Sequence, residues 1–271
     1  MSGVRLRTRR WAFLGLVAHA AASGTLPAQT PTPGPRSTPL PSTALAVRLA
    51  EEIRLDGRLD DPAWSTADSV TQLVQREPSE GMPSTERTVV RALRTRTALF
   101  VGVRADDRSA TLIRASQLRR DADLTVDDYV TLLLDSFHDR RGAFLFRTNP
   151  NGAMWDAQLE GFEDLNENWN GIWDVAVARD STGWTAEFRI PFRTLRFHGG
   201  GATLGFNVER FIRRKNEEAL WRSFRRTQGL LQLTEEGELA ELGGASRGHG
   251  LEFYPYALAR GNTDDHDPSG T

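Results

Sequence analysis

The chain has no cysteine, which excludes disulfides, thiolate metal sites and cysteine nucleophiles while leaving an envelope compartment open. Lysine is nearly absent too: Lys215 is the single one, and the abundance of Arg in its place reads as codon bias. The formal net charge of -2 gives no basic excess, which speaks against a nucleic-acid partner. Long apolar runs are lacking, since the stretch Trp11 to Ala22 falls short of the roughly 20 residues that cross a bilayer. Catalytic motifs are missing as well. There is no G-x-S-x-G elbow, no H-E-x-x-H helix and no phosphate-cradling glycine loop, and histidines 19, 138, 198, 249 and 266 have no ligand-like spacing. His138 beside Asp139 reads as a solvated loop residue, so a non-catalytic protein is expected.

What is present begins with a basic segment (Arg5, Arg7, Arg9, Arg10) ahead of the short apolar run, the pattern of a secretory signal peptide over residues 1–28. Residues 29–43 are rich in Pro and Thr and form an extended linker. Export across the inner membrane follows, to a periplasmic or outer-membrane-associated location, with no transmembrane segment in the mature chain. A single domain is expected over residues 44–261, followed by a polar tail at 262–271.

Within that domain, short alternating runs separated by turn residues predict strands near 45–55, 87–95, 98–105, 128–136, 143–149, 153–160, 172–179, 183–190, 203–213, 218–224 and 251–259. Helical turns are expected at Asp60 to Ala67 and Phe192 to Phe197. Many short strands with regular turns predict an all-β fold, a two-sheet antiparallel β-sandwich of jelly-roll type.

The stretch from Asp127 to Gly152 carries the most information. It reads as a β-hairpin in which Val130, Leu132 and Leu134 share one face with Phe144 and Phe146. The other face carries Thr131, Asp135, Arg147 and Asn149. Arg147 sits mid-strand between Phe146 and Thr148 and must reach solvent or an acceptor, because burying it unpaired is prohibitive. Asp135 and Glu209 are its candidate partners. Along 203–213, Asn207 and Glu209 alternate with Leu204, Phe206 and Val208, giving a second polar row.

Tryptophans 155, 169, 173 and 221 follow the hairpin. Indole faces beside amides and carboxylates suit the apolar face and the hydroxyls of a sugar ring. Trp155 and Trp173 read better as core residues, whereas Trp169, flanked by polar neighbours, reads equally well as a ligand contact. Asp121, Asp123, Asp127 and Asp128 gather hard oxygen donors in one loop and suit calcium, although their spacing is not that of an EF-hand. The bland alternative is a polar loop whose acids balance Arg119 and Arg120.

An ordered set of motifs spans about residues 45–260: Leu55-Asp56-Gly57-Arg58-Leu59-Asp60-Asp61-Pro62-Ala63-Trp64, Phe100-Val101-Gly102-Val103, Asp135-Ser136-Phe137-His138, Asn149-Pro150-Asn151-Gly152, Trp169-Asn170-Gly171-Ile172-Trp173 and Arg213-Arg214-Lys215-Asn216-Glu217. Together they resemble the carbohydrate-binding module family 9 pattern, in particular the family-9-like domain that opens envelope proteins with an uncharacterised outer-membrane barrel-like region. The resemblance implies a β-sandwich that binds sugar, in some members with calcium. It places Arg147 at the family's sugar-binding Arg, Thr131 where a Glu is expected and Glu209 where a Gln is expected. The family's first clamping Trp falls near Leu124 and Thr125.

The expected function is therefore a secreted carbohydrate-binding module, its ligand held on the polar face by Arg147, Asn149, Thr131, Glu209, Asn207 and Trp169. No cofactor is expected beyond the calcium candidate. The alternative is a periplasmic interaction domain whose partner is an outer-membrane barrel.

Overall fold

A computed structural model describes residues 42–161, 164–195 and 203–246. The expected signal segment, nearly all of the expected linker, the strand expected at 251–259 and the expected polar tail lie outside the described residues.

Fourteen strands are described: β1 (Thr43–Arg48), β2 (Ser69–Val70), β3 (Val74–Glu77), β4 (Thr88–Arg94), β5 (Ala98–Asp106), β6 (Tyr129–Asp135), β7 (Gly142–Thr148), β8 (Met154–Glu160), β9 (Asp164–Asn166), β10 (Asp174–Asp180), β11 (Gly183–Pro191), β12 (Leu204–Ile212), β13 (Glu217–Leu220) and β14 (Gly237–Ala240). Two one-turn helices, α1 (Pro62–Thr66) and α2 (Phe192–Leu195), stand where helical turns are expected. No helix among the described residues is long and apolar enough to cross a membrane.

The front sheet runs β14-β12-β6-β7-β8-β9, with β13 beside the far half of β12 and β3 beside β13; the back sheet runs β10-β11-β5-β4-β1, with β2 on β4. β1 joins the two, because Thr43 to Leu45 pair with β14 and Ala46 to Arg48 pair with β4. Both of these pairings are parallel, and the other strand pairings described are antiparallel, so the sandwich is mixed at this one strand. The short strands β2, β3, β9 and β14 have two to four residues and too little alternation to be read from sequence.

Side-chain alternation decides what fills the interior. Leu99, Val101 and Val103 from β5 and Trp184, Ala186, Phe188 and Ile190 from β11 meet Val130, Leu132, Leu134, Phe144, Phe146, Phe206 and Val208 of the front sheet in one buried cluster. Trp173 bridges the layers, stacked on Phe188 at 5.8 Å between ring centroids and edge-on to Phe146 at 5.3 Å. Trp221 packs against Phe206 in the same cluster just beyond β13, which ends at Leu220, earlier than the alternation suggested.

The back sheet's outer face is sealed by the Asp56 to Trp64 segment. Glu187, completely buried in β11, accepts hydrogen bonds from Trp64 Nε1 at 2.9 Å and from the backbone N–H groups of Asp56 at 2.9 Å and Gly57 at 2.7 Å. Gly57 has φ +81° and lies against the Val177 backbone with no room for a Cβ, so a side chain there is excluded twice over. A separate apolar cluster of Trp64, Leu93, Ala98 and Phe100 completes this layer.

Candidate functional site

The outer face of the front sheet is built differently. The residues directly opposite one another across β13, β12, β6, β7 and β8 are Leu220, Glu209, Thr131, Arg147 and Trp155. Directly opposed residues in an antiparallel pair share a face, so this row crosses the sheet on the side away from the sandwich interior. Leu133, Leu145, Ala157 and Trp155 give that face an apolar floor, over which Leu230 and Leu233 pack. A cavity of about 490 Å³ opens there, lined in part by Arg76, Arg147, Trp155, Glu209 and Glu218 and walled on one side by residues 227–232.

Arg147 is the centre of the row. Its Nε donates to Thr131 Oγ1 at 2.8 Å and its Nη2 to Glu209 Oε2 at 3.4 Å; the Thr131 hydroxyl in turn donates to Glu209 Oε2 at 2.7 Å. The guanidinium carbon also lies 4.1 Å from the Tyr129 ring centroid and 4.7 Å from that of Trp155, the two aromatics coming from the strands on either side. A cation facing aromatic rings is held by their quadrupoles, and the plane of the guanidinium is thereby fixed. Tyr129 is itself stacked on Phe211 at 5.1 Å and donates its hydroxyl to Glu209 Oε1 at 3.4 Å. Of the two candidate partners for Arg147, Glu209 is the one the fold supplies. Asp135 instead accepts from the backbone N–H groups of Phe137 and Arg140 and closes the hairpin loop.

Burial pushes the Glu209 carboxyl up from its ordinary range, the Arg147 charge pulls it back in part, and Glu218 pushes it further up. Glu218 has its own cation: Arg76 Nε and Nη2 reach its two oxygens at 2.8 Å each, which raises the Arg76 pKa further. Burial and the neighbouring Glu209 also raise Tyr129, which keeps its hydroxyl as a donor.

The remaining expected residues lie elsewhere. Asn149 is buried at the end of β7, where its amide nitrogen donates to Gln117 O and Asp127 Oδ2 and its oxygen accepts from the N–H groups of Asn151 and Ala153. Asn207 shares the face of Glu209 but clips the chain beyond β13, donating to Arg222 O and accepting from Arg222 N–H. Trp169 packs on the opposite, interior-facing side of the hairpin, 4.8 Å from the Phe144 ring and 6.0 Å from that of Phe146. Of the six expected residues, the fold brings Thr131, Arg147 and Glu209 together, and Arg147 and Glu209 line the cavity.

Trp155, expected in the core, is buried in the apolar cluster and also lines the cavity; Arg76 and Glu218 line it without having been expected, and Tyr129 lies beside it against Arg147. Register held the signal for Trp155: counting outward from the Asn149-Pro150-Asn151-Gly152 turn pairs Thr148 with Met154 and therefore Arg147 with Trp155. Leu124, near the position of the family's first clamping Trp, is buried in the same apolar cluster as Trp155.

The four aspartates that suited calcium are engaged separately. Asp127 accepts from Ser116, Gln117 and Asn149, Asp128 from Arg213 N–H and Asp123 from Thr125, while Asp121 faces Arg120. Among the described residues, no group of three or more acidic or histidine side chains is gathered in a way that could hold a metal ion.

Comparison with known proteins agrees with this architecture. A sequence profile described as "Carbohydrate family 9 binding domain-like" matches residues 55–227. No curated protein matches the chain. Among solved structures, a protein from Bacteroides uniformis proposed to bind carbohydrate superposes with a TM-score of 0.60 at 12% identity, covering 73% of this chain and 98% of its own. A family 9 carbohydrate-binding module from Caldicellulosiruptor kristjanssonii in complex with cellotriose gives 0.53 at 15% identity, covering 79% and 100%. A module of the same family and organism in complex with glucose gives 0.55 at 14% identity, covering 73% and 94%. At such identities the superpositions establish the fold, and the profile match over most of the chain establishes the family: this chain belongs to the carbohydrate family 9 binding domain-like proteins.

Proposed function

We propose that this chain is a non-catalytic carbohydrate-binding module whose sugar sits in the cavity over the outer face of the front sheet, with Arg147 as its anchor. The observation that carries the reading is the Thr131-Arg147-Glu209 row: one guanidinium with a fixed plane opening into a cavity of about 490 Å³ with an apolar floor. Rigid donors above an apolar surface are what a pyranose needs, hydrogen bonds for its hydroxyls and contact for its C–H face. That family 9 structures hold cellotriose and glucose supports the same class of ligand. Asn149, Asn207 and Trp169 then act indirectly, by fixing the loops and the hairpin that frame the site.

The N-terminal basic and apolar pattern with its proline-rich linker supports export, and the reading places the module in the periplasm or at the outer membrane. Isothermal calorimetry against a panel of neutral and acidic sugars tests the ligand class. Binding that Arg147→Ala weakens at least tenfold is expected; no heat with any sugar, or unchanged affinity in the variant, would overturn the site.

A further inference from the structure

The donor edges of Arg147 are used unevenly. Nε and Nη2, one edge of the guanidinium, are taken up by Thr131 and Glu209. Nη1 has no hydrogen-bond partner among the described residues and is not a buried atom, and the Arg147 side chain keeps 15% of its surface open. Because the rings of Tyr129 and Trp155 fix the guanidinium plane, the end fork of Nη1 and the outer Nη2 hydrogen is presented to the cavity in one orientation.

The two carboxylates that line the cavity are in the opposite condition. Glu218 receives a two-point contact from Arg76, and Glu209 receives the Thr131 hydroxyl, the Tyr129 hydroxyl and Arg147. A neutral sugar offers hydroxyls that both donate and accept, and it is served best where acceptors are free alongside donors. Here both carboxylates are engaged inside the protein, and a planar two-donor fork remains on Arg147. Such a fork matches two coplanar oxygens, and the strongest pairing of that geometry is with a carboxylate.

Building on the sugar-binding reading above, we infer that this site selects a sugar bearing a carboxylate, held two-point by the end fork of Arg147, over its neutral counterpart. The apolar floor of Leu145, Leu165 and Trp155 then takes the ring.

The test is calorimetry on the full chain with D-glucuronate, D-galacturonate and N-acetylmuramate, set against glucose, galactose and the methyl esters of the two uronates. The methyl esters keep the ring and remove the charge. Acidic sugars are expected to bind at least tenfold more tightly than their neutral and esterified counterparts, and the margin should shrink with added salt. The uronate and muramate arms distinguish a carboxylate on the ring from one on an ether-linked substituent. In Arg147→Lys, which keeps the charge but loses the fork, the preference should collapse. Equal or tighter binding of the neutral sugars would overturn this inference and leave the sugar-binding reading intact. An acid preference that survives in Arg147→Lys would overturn the assignment to Arg147, and no binding of any sugar would overturn both readings.

Discussion

Two buried glutamates on the outer faces of the two sheets have opposite fates. Glu187 in β11 receives Trp64 Nε1 and two backbone N–H groups, under a segment that closes over it. Glu209 in β12 receives two hydroxyls and a guanidinium that still has donors to spare, beside an open cavity. Burial pushes both carboxyls upward from their ordinary range, so that shift does not distinguish a lock from a site. The difference lies in what the partners have left to give. Around Glu187 each donor ends on the carboxylate, whereas beside Glu209 the bonding continues through Arg147 into the cavity.

Breaking the lock should have the largest effect. Glu187→Ala leaves an indole N–H and two backbone N–H groups buried without partners, each costing about 1–3 kcal/mol. A loss of about 4 kcal/mol is expected in urea unfolding, and Glu187→Gln, which keeps one acceptor oxygen, should recover part of it. A loss below about 1 kcal/mol in the Ala variant would show that Glu187 does not hold the Asp56 to Trp64 segment.

A third glutamate sharpens the contrast, because its neighbour is a second carboxyl. Glu236 is 8% exposed, its carboxylate receives no N–H or hydroxyl donor among the described residues, and it lies over Gly205, where it leaves no room for a Cβ. Burial, then the adjacent Asp135 carboxyl, pushes its pKa up to about 9, with Asp139 adding to the shift and Arg140 opposing it. An unfolded Glu titrates near ~4.3, so between that pH and about 9 the folded chain binds the extra proton. This group's contribution to stability is therefore full below ~pH 4, declines as pH rises, and is lost above about pH 9. Urea midpoints at several pH values should fall across this window in the wild type and fall less in Glu236→Gln, which stays neutral. Parallel profiles would place the proton elsewhere.

At the site itself the effect moves from stability to affinity. Arg147→Ala should weaken sugar binding by about 10- to 150-fold, the equivalent of ~1.5–3 kcal/mol for a charge-assisted hydrogen bond. Its melting transition should move much less than that of Glu187→Ala, since Arg147 is partly open to solvent. If Arg147→Ala unfolds as readily as Glu187→Ala, both glutamates belong to locks and the contrast disappears.

How much of this the sequence carried follows from the range over which each signal acts. Period-two alternation is local, so it placed the core strands, the hairpin and the face shared by Thr131, Arg147 and Glu209. It assigned Asn149 and Asn207 to that face but could not tell that their amides would be consumed, because the partners Gln117, Asp127 and Arg222 come from loops without a period. The reading of Trp169 failed to settle for the same reason: the side of the hairpin it covers is decided by the loop between β9 and β10. The Asp56 to Trp64 motif was visible as a pattern, yet its physical reason is a carboxylate 123 positions after Trp64.

The two tryptophans that accompany the glutamates carry the comparison to its smallest expected effect. Trp64 is used through its N–H, which ends on Glu187, while Trp155 is used through its ring face, under Arg147. Trp155→Leu keeps an apolar residue on the cavity floor and removes the π face, a contact worth about 0.5–2 kcal/mol. Sugar affinity should then fall by about 3- to 20-fold, less than in Arg147→Ala, because the guanidinium keeps its charge and its Tyr129 contact but loses part of its fixed orientation. Trp155→Phe, which retains an aromatic face, should restore part of the loss. If Leu and Phe behave alike, Trp155 contributes only apolar area, and Tyr129 with Thr131 suffices to orient Arg147.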